Sequence, residues 1–572
     1  MDKMIKRLVN KYKTDETFKH ILWITTVYMF AQGFLLIATG IWWDDWVYVN
    51  KNWDYLLEVM LQSSLPLQAY IDASLWLLPD GAYRILVFIY FYAGSLLVYT
   101  IMKKMDMFSS EDVFWITLLY ITIPINDARI AWICYGYSLG LLSFWIAFWL
   151  VTLWQGKTGK RAVIMRVLSL FVLVFSFNTE SIMLMTLIIL LYLYYERLKT
   201  GWEWSEVRAN IKKCFRAVLC YIDFLLAPII FYFGKHMLFP SYGFYAGHNY
   251  VDWNALPDLF LHSPVYAWDT MANLFLNYKA TLLKPTVLIV LAIIVLCYML
   301  VAYMHRRRKG IKPGTDIQYG RTIIMLLVGM FCFFSGFFPY VIRCKGAFPT
   351  IGTEGRHTLL LGIGVAMLIY YLVAIIFRKE IKKMMLILLI ILGACHFNFR
   401  YLGWQEDYYQ QLRFQAEIAE NQDILDNDTF LCIDYWSNNY IQFYVLNGNS
   451  YTVTGEETRF YASNINDLFY MLGASEDAWY LKACNMRDWD YSEENRHLDG
   501  ILLFKNRRIS NSQLIKLKLE EFFDKDAFDR WIKETKDITY IPVTREGSDA
   551  IFEAYRNGKL TRDNVFKYMW AY

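Results

Sequence analysis

The chain has 572 residues, of which 56% are hydrophobic and 18% aromatic, and its formal net charge is +4. This composition is too apolar for an ordinary soluble protein, and the length exceeds that of one small domain. The basic residues lie in short segments between apolar runs, a pattern that signals membrane orientation and argues against a nucleic-acid partner. The nine cysteines form no CxxC motif or Cys/His cluster, so we predict neither a disulfide framework nor a zinc site.

Apolar runs of about 20 residues recur along the chain and predict transmembrane helices. We therefore expect a mainly α fold, a polytopic membrane helix bundle of about eleven spans. The positive-inside rule makes the basic segments cytoplasmic, which places the N-terminus inside and the C-terminus outside. The predicted spans are 21–42, 83–102, 112–125, 134–154, 162–177, 181–196, 217–236, 285–304, 322–341, 359–377 and 384–397, and the basic segments are 1–19, 103–104, 155–166, 197–216, 305–312 and 378–383.

Three external loops are expected to share one face of the membrane. Loops 43–82 and 237–284 are long and aromatic-rich with few charges, which is typical of helices that lie in the membrane interface. Loop 342–358 is shorter and reads "RCKGAFPTIGTEGRHTL" from its second residue. These loops are the places where an extracytoplasmic site could form.

The last third of the chain is charged and tyrosine-rich, and it contains no further apolar span. "TFLCIDYW" and "ITYIPVT" predict strands, and residues 512–535 predict one helix with apolar residues at helical spacing. A small extracytoplasmic α/β domain is therefore expected. The predicted domains are a cytoplasmic N-terminal segment over 1–20, a transmembrane domain over 21–397 and the α/β domain over 398–572.

An acidic pair, Asp44 and Asp45, directly follows the first predicted span in "IATGIWWDDWVYVN". Membrane-level acids usually face a cavity and mark a substrate or proton path. Adjacent residues do not point the same way, so one carboxylate can face a cavity while the other braces local structure. The alternative is an interfacial cap beside an aromatic belt formed by Trp42, Trp43 and Trp46.

A first span followed at once by an acidic pair, a long loop of interfacial helices, many spans and a C-terminal external domain resembles the GT-C glycosyltransferases. It is most similar to bacterial multispan enzymes that glucosylate cell-surface glycans. The resemblance implies an inverting enzyme of the bacterial plasma membrane. Its donor would be a polyprenyl-phosphate-linked sugar, such as a glucose carrier, and its acceptor a surface glycan. Asp44 or Asp45 would then be the catalytic base that deprotonates the acceptor hydroxyl.

A lipid phosphate leaving group needs external cations near the membrane. The candidates are Arg129, Arg343, Lys345 and Arg356, and the planar fork of arginine favours Arg129 and Arg356. The alternative for Arg129 is a local ion pair with Asp127. The alternative for Arg343 and Lys345 is snorkelling to the lipid headgroups.

Glu180, in "FNTES", is a further acid on the predicted external face. It could bind a sugar hydroxyl, or join Asp45 in holding Mg or Mn, which prefer oxygen ligands. The alternative is a helix cap beside Asn178 and Ser181. His357 is also external and could contact substrate, although a lone histidine is more often structural.

Two other classes of function remain open on the sequence. A polysaccharide polymerase or ligase would also use external arginines and large loops, but it would not need an acidic pair after the first span. A flippase or transporter of a lipid-linked glycan would show charged or broken helices at mid-membrane, often with inverted repeats. The predicted acids cluster at one face, which favours the glycosyltransferase.

Overall fold

The protein is represented by a computed structural model, and it is mainly helical. Two compact units account for its contacts. The helical unit comprises Met1–Ile37, Met60–Ile130 and Cys134–Arg400, and the sheet unit comprises Ala38–Val59, Ala131–Ile133 and Tyr401–Tyr572. The structure describes residues 12, 14–49, 51–79, 81–199, 207–246, 251, 253–309, 319–343, 348–377, 379–434, 443–464, 467–468, 497–504, 508–535, 538–561, 564–565 and 567.

Long apolar helices dominate the helical unit, as the apolar runs predict. Short 3₁₀ turns join several of them at Gly33–Leu36, Leu75–Leu77, Asp127–Ile130, Glu180–Met185, Gly243–Tyr245 and Thr353–Leu361. Two of the α-helices before residue 421, Trp53–Leu61 and Lys379–Glu420, extend into the sheet unit. The others are Glu16–Gln32, Pro66–Ser74, Ala82–Lys104, Ser110–Thr122, Tyr135–Trp154, Lys160–Ser176, Thr186–Leu198, Val207–Cys220, Ile222–Leu238, Leu256–Leu282, Pro285–Lys309, Tyr319–Val341 and Gly362–Ile376.

Within the described residues, six helices are long and apolar enough to cross a membrane, and the number rises to eight if each of two bent helix pairs is one span. The two pairs bend by 54° and 86°. The six are Ala82–Lys104, Trp132–Trp154, Glu180–Leu198, Gly320–Val341, Thr353–Ile376 and Glu380–Glu420, and the pairs are Ile211–Cys220 with Ile222–Leu238 and Leu256–Leu282 with Pro285–Leu300.

The three remaining predicted spans fall on helices of 13 to 17 residues, shorter than the roughly 20 residues that a membrane crossing needs. The helix at predicted span 21–42 is Glu16–Gln32, and a 3₁₀ turn follows it. Gly40 then adopts a φ of 127°, which a helix cannot accommodate. Helices Ser110–Thr122 and Lys160–Ser176 have 13 and 17 residues. Six to eight apolar helices are thus present, and the number eleven stays a prediction.

Apolar side chains of the helical unit divide between an interior cluster and an exposed surface. The interior contains Phe144, Trp145 and Ile189, all with little or no exposed area. Other helices expose large apolar residues, among them Phe171 and Ile230. Exposed apolar surface on long helices is what lipid contact requires.

The sheet unit contains a four-stranded sheet whose strand order is β2-β1-β3-β4. Strand β1 pairs in parallel with β2 and β3, and β3 pairs antiparallel with β4. The strands are β1 Thr429–Asp434, β2 Phe460–Ala462, β3 Gly500–Phe504 and β4 Ile538–Pro542, and the helices are Gln422–Leu425, Phe443–Thr454, Asn511–Phe523, Lys525–Glu534 and Arg545–Arg556, with 3₁₀ turns at Trp43–Val47 and Trp132–Cys134.

The core of the sheet unit forms on one face of the central strands. Phe430 of β1 and Leu502 of β3 pack there with Phe414 and Ile418, which come from the last part of helix Lys379–Glu420. Both β1 and β3 are buried along nearly their whole length, as strands in the middle of a sheet are. The strands predicted from "TFLCIDYW" and "ITYIPVT" are confirmed, whereas β2 and β3 were not predicted.

The helix predicted over 512–535 is two helices, so this prediction was wrong. Asp524 separates them with a φ of −148° and a ψ of 70°, outside the helical region. Its side chain accepts the backbone N–H of Ala527 at 3.1 Å and caps the second helix. The apolar residues keep helical spacing across Asp524, so the spacing alone does not reveal that a second helix begins there.

Gly393 lies in helix Lys379–Glu420 directly against the backbone carbonyl of Thr122. A Cβ at this position would overlap the carbonyl, which cannot move without shifting helix Ser110–Thr122. We expect Gly393→Ala to lower the free energy of unfolding by about 1–3 kcal/mol. Thermal unfolding of the detergent-solubilised protein would measure this.

Gly403→Ala is the matched control for Gly393→Ala. Gly403 lies in the same helix, and a Cβ there meets no atom within 4 Å. Alanine should leave stability unchanged or raise it by up to about 1 kcal/mol, because alanine favours the helix. Equal unfolding midpoints for the two variants would contradict the close helix contact.

Candidate functional site

The acidic pair lies in the 3₁₀ turn Trp43–Val47 of the sheet unit, and its two carboxylates have different surroundings. Asp45 is only 1% exposed, and its carboxylate accepts the backbone N–H groups of Trp132 and Ile133, each at 2.9 Å. A third, longer contact of 3.5 Å comes from the N–H of Trp42. Asp45 therefore braces two segments of the unit that are far apart in sequence.

Asp44, by contrast, is partly exposed. Burial raises the pKa of Asp45 to about 7; the Asp44 charge raises it slightly further, and the N–H donors of Trp132 and Ile133 oppose the shift. The structure thus shows Asp45 as a brace and leaves Asp44 as the partly exposed member of the pair.

The tryptophans beside the acidic pair are not a membrane belt. Trp42 and Trp46 are both 1% exposed. The indole N–H of Trp42 donates to the carbonyl of Trp404 at 2.6 Å, and that of Trp46 donates to Gln411 at 2.9 Å. The belt interpretation is wrong for these two residues, because each indole N–H finds a partner inside the sheet unit.

Glu180 forms the centre of an ion triad in the helical unit. Its carboxylate pairs with the ammonium of Lys235 and with the guanidinium of Arg343. Glu180 begins the 3₁₀ turn Glu180–Met185, Lys235 lies in the last turn of helix Ile222–Leu238, and Arg343 lies two residues past helix Tyr319–Val341. The triad therefore joins the ends of three apolar segments. The side chains of Glu180 and Lys235 are 10% and 4% exposed.

Arg356 and His357 lie beside the triad, in the 3₁₀ segment Thr353–Leu361. The Arg356 guanidinium is 3.7 Å from the carboxylate of Glu354, and the His357 Nε2 is 3.0 Å from it. The charges of both Arg343 and Arg356 act on the hydroxyl of Tyr137. The two guanidinium groups therefore both lie near the hydroxyl of Tyr137.

The side chain of Tyr340 lies beside His357 and Ser181. Its ring lies 5.0 Å from the His357 ring, centroid to centroid, and its hydroxyl donates to Ser181 at 3.2 Å. Hereafter the basic cluster denotes Lys235, Arg343, Arg356 and His357 together with Glu180 and Glu354. With both arginines and the lysine ionised, three cations face the two carboxylates of Glu180 and Glu354, which gives the cluster a net positive charge.

Arg129, one of the two leading phosphate candidates, is held away from the surface. It is 3% exposed, and its guanidinium donates to the carbonyls of Asn126 at 2.7 Å and Ile125 at 3.1 Å. The ring of Phe91 lies 4.0 Å from the guanidinium carbon. These contacts tie down the chain after helix Ser110–Thr122, and Nη1 of Arg129 is buried without a hydrogen-bond partner among the described residues.

Asp127, offered as the local partner of Arg129, orders the loop that carries Arg356. It accepts the backbone N–H of Gly352 at 2.8 Å and pairs with Arg400 Nε at 2.8 Å. Gly352 needs the left-handed backbone that its φ of 74° shows. Asp127 therefore fixes the start of the segment Thr353–Leu361.

The suggested Mg or Mn site does not fit the geometry. Both oxygens of Asp45 accept backbone N–H groups, and the Glu180 carboxylate bridges two cations. Across the part of the chain that the structure describes, no group of three His, Cys, Asp or Glu side chains could hold a metal ion. We therefore derive no step through a metal.

The sequence analysis named four of the six residues of the basic cluster: Glu180, Arg343, Arg356 and His357. It quoted the segment that contains Glu354 without singling that residue out, and it missed Lys235. A lysine that ends an apolar helix looks like a snorkelling residue, so nothing in the sequence separates it from an ordinary anchor. Lys345, the remaining predicted cation, lies outside the described residues. Glu180 begins a 3₁₀ turn that precedes an apolar helix, and its ion-pair partners could not be predicted.

No model of a known protein family matches the chain, and no curated protein matches it either.

Asp45→Asn tests the bracing role. The amide keeps one acceptor oxygen but turns an NH₂ group toward a buried backbone N–H of Trp132 or Ile133. We expect the free energy of unfolding to fall by about 1–3 kcal/mol. Asp44→Asn is the matched control, because its side chain is partly exposed, and it should change stability little.

The same variant should also change the pH dependence of stability. The pKa of Asp45 is about 7 in the folded protein against an ordinary 3.8, so the folded state binds a proton that the unfolded state has lost. The stabilisation from Asp45 is therefore complete below pH 3.8 and is lost as pH rises through 7. Thermal unfolding between these pH values should show this decline in the wild type and a weaker one in Asp45→Asn; identical pH profiles would contradict it.

Proposed function

We propose that the protein is a GT-C-type membrane glycosyltransferase that transfers one sugar, such as glucose, from a polyprenyl-phosphate carrier to a cell-surface glycan. The basic cluster carries this proposal. It combines a net positive charge with a position at the ends of long apolar helices, which is where the phosphate of a membrane-embedded lipid would lie. Two arginines and a lysine suit a phosphate monoanion or dianion.

In this reaction the acceptor hydroxyl oxygen attacks the anomeric carbon of the donor sugar. The bond between that carbon and the phosphate oxygen breaks, and the electron pair leaves with polyprenyl phosphate. The negative charge that grows on the leaving phosphate is what Lys235, Arg343 and Arg356 would stabilise. The proton of the acceptor hydroxyl goes to a carboxylate base, and inversion follows from attack opposite the leaving group.

The base role is assigned to Asp44. Asp45 is only 1% exposed and both of its carboxylate oxygens accept backbone N–H groups, so an acceptor hydroxyl has little access to it. Asp44 is partly exposed and lies next to it in the same 3₁₀ turn. Asp44 and the basic cluster belong to different compact units, and each role rests on contacts inside its own unit.

The proposal also includes the finer topology that the charge pattern predicts. Helices Glu16–Gln32, Ser110–Thr122 and Lys160–Ser176 would add three crossings to the eight that the two bent pairs allow. Eleven crossings place a cytoplasmic N-terminus and an extracytoplasmic C-terminal α/β domain on opposite sides of a bacterial plasma membrane. The bend of 86° after helix Leu256–Leu282 supports an interfacial position for that helix.

The base assignment predicts that Asp44→Asn abolishes sugar transfer. Loss of a general base costs about 10²–10⁴-fold in kcat. Radiolabelled sugar would be followed from membrane lipid to surface glycan, with the amount of each variant in the membrane checked. Asp54→Asn, an exposed acid in the neighbouring helix Trp53–Leu61, is the matched control and should transfer normally. Normal transfer by Asp44→Asn would refute the base role.

The phosphate assignment predicts a different kinetic signature. Lys235→Ala and Arg343→Ala should each raise the KM for the polyprenyl-phosphate donor by about tenfold or more, because each removes a charge-assisted contact. Lys279→Ala changes an exposed lysine of helix Leu256–Leu282 and should leave the donor KM unchanged. An unchanged donor KM in both cluster variants would show that the cluster does not contact the donor.

A further inference from the structure

The sheet unit contains a groove of about 550 Å³ at the edge where β1 and β3 begin and β4 ends. Its size falls in the usual range of small-ligand sites, about 300–1,000 Å³. None of the residues discussed for the transfer reaction lines this groove. Its polar lining comes from Asp423, Asn427, His497, Asp499 and Arg545, with the aromatic side chain of Tyr540.

Asp499 anchors one wall of the groove. Its Oδ2 accepts the backbone N–H groups of Asp428 at 3.0 Å and Thr429 at 2.8 Å, at the start of β1. Its Oδ1 lies 2.6 Å from the Nε2 of His497. Both carboxylate oxygens are therefore occupied, and Asp499 holds the His497 ring in place against the edge of the sheet.

Tyr540 is fixed in a similar way. Its ring packs directly on Gly500, where any Cβ would overlap it. Its hydroxyl donates to the carbonyl of Asp499 at 3.4 Å and accepts from the Asn427 amide at 3.3 Å. The aromatic surface is thus held at a set position in the groove, so a ligand would not have to order it on binding.

The polar groups that line the groove are mixed in character. The carboxylate of Asp423 is exposed and has no hydrogen-bond or ion-pair partner in the described part of the chain. Arg545 supplies N–H donors, and Tyr540, Pro542 and Val543 supply apolar surface. A sugar matches this mixture, because its hydroxyls both donate and accept while its C–H faces pack on apolar or aromatic groups.

The charge of the groove argues against anionic ligands. Asp423 and Asp499 outweigh Arg545, so with His497 neutral the lining is negative, which disfavours phosphates and acidic glycans. Among the described residues no set of His, Cys, Asp or Glu side chains forms a metal-binding group. A neutral saccharide is a ligand class that fits this lining.

We propose that this groove binds a neutral saccharide and that, in the transfer reaction, this saccharide is part of the acceptor glycan. The acceptor role rests on the proposed function, whereas saccharide binding is a property of the groove and is measured without transfer. Asp423 would accept hydrogen bonds from sugar hydroxyls, and the face of the sugar would lie against Tyr540 and its apolar neighbours.

The test uses the full-length protein in lipid nanodiscs and a panel of short neutral oligosaccharides, with binding measured by saturation-transfer NMR and calorimetry. Wild type should bind at least one member of the panel. Asp423→Ala should weaken that binding by about tenfold or more, since a hydrogen bond to a charged group is lost. Asp426→Ala removes an exposed acid at the end of the same short helix, outside the groove, and should bind as the wild type does.

Two measurements on the same proteins separate the groove from the transfer reaction. Affinity for the polyprenyl-phosphate donor should be equal in wild type and Asp423→Ala. If wild type binds no oligosaccharide, or Asp423→Ala binds as tightly, the groove inference is overturned even where transfer is normal. If Asp423→Ala loses saccharide binding but wild type transfers no sugar, the groove inference stands and the proposed function fails.

Discussion

The carboxylate of Glu180, shared between Lys235 and Arg343, is the contact on which the candidate site depends. Burying ions costs several kcal/mol for each ion, and a buried pair recovers this only with good geometry and further hydrogen bonds. One carboxylate cannot neutralise two cations, so the triad keeps a positive charge at the ends of three apolar segments. An arrangement with that cost and that excess charge makes physical sense if an anion completes it.

The acidic pair shows how two neighbouring residues of one type take different roles. Two adjacent carboxylates repel each other, and one of them is buried. The backbone N–H groups of Trp132 and Ile133 compensate the burial of Asp45, and its raised pKa lowers the repulsion by favouring the protonated form. Asp44 is then a carboxylate beside a neighbour that is partly protonated near neutral pH, and its position is set by the brace that Asp45 provides.

The sequence predicted the mainly helical character and the apolar runs of six to eight candidate spans, because such runs follow directly from the cost of burying polar groups in lipid. It identified Glu180, Arg343, Arg356 and His357 one at a time. It could not predict that Glu180 pairs with Lys235, because the two are far apart in sequence and a helix-end lysine carries no local signal. Ion pairs between distant segments are set by packing, which periodicity does not encode.

The same limit explains the errors in the sheet unit. An apolar run predicts strand β1, whereas β2 has only three residues, too few to show a pattern. Strand β3 is a short apolar run of five residues that was not assigned as a strand. The break at Asp524 is concealed by apolar residues that keep their spacing on both sides. The tryptophans beside Asp45 looked like a membrane belt because composition cannot show that Trp404 and Gln411 satisfy their N–H groups.

The central claim is that the basic cluster holds the phosphate of a membrane lipid, and one comparison tests it most directly. Native mass spectrometry of the full-length protein would measure binding of polyprenyl phosphate and of the matching polyprenol, which has the same chain and no phosphate. The account predicts that the phosphate form is retained in the wild type and that Lys235→Ala and Arg343→Ala reduce its binding to the level of the alcohol. Equal retention of phosphate and alcohol by the wild type would contradict it.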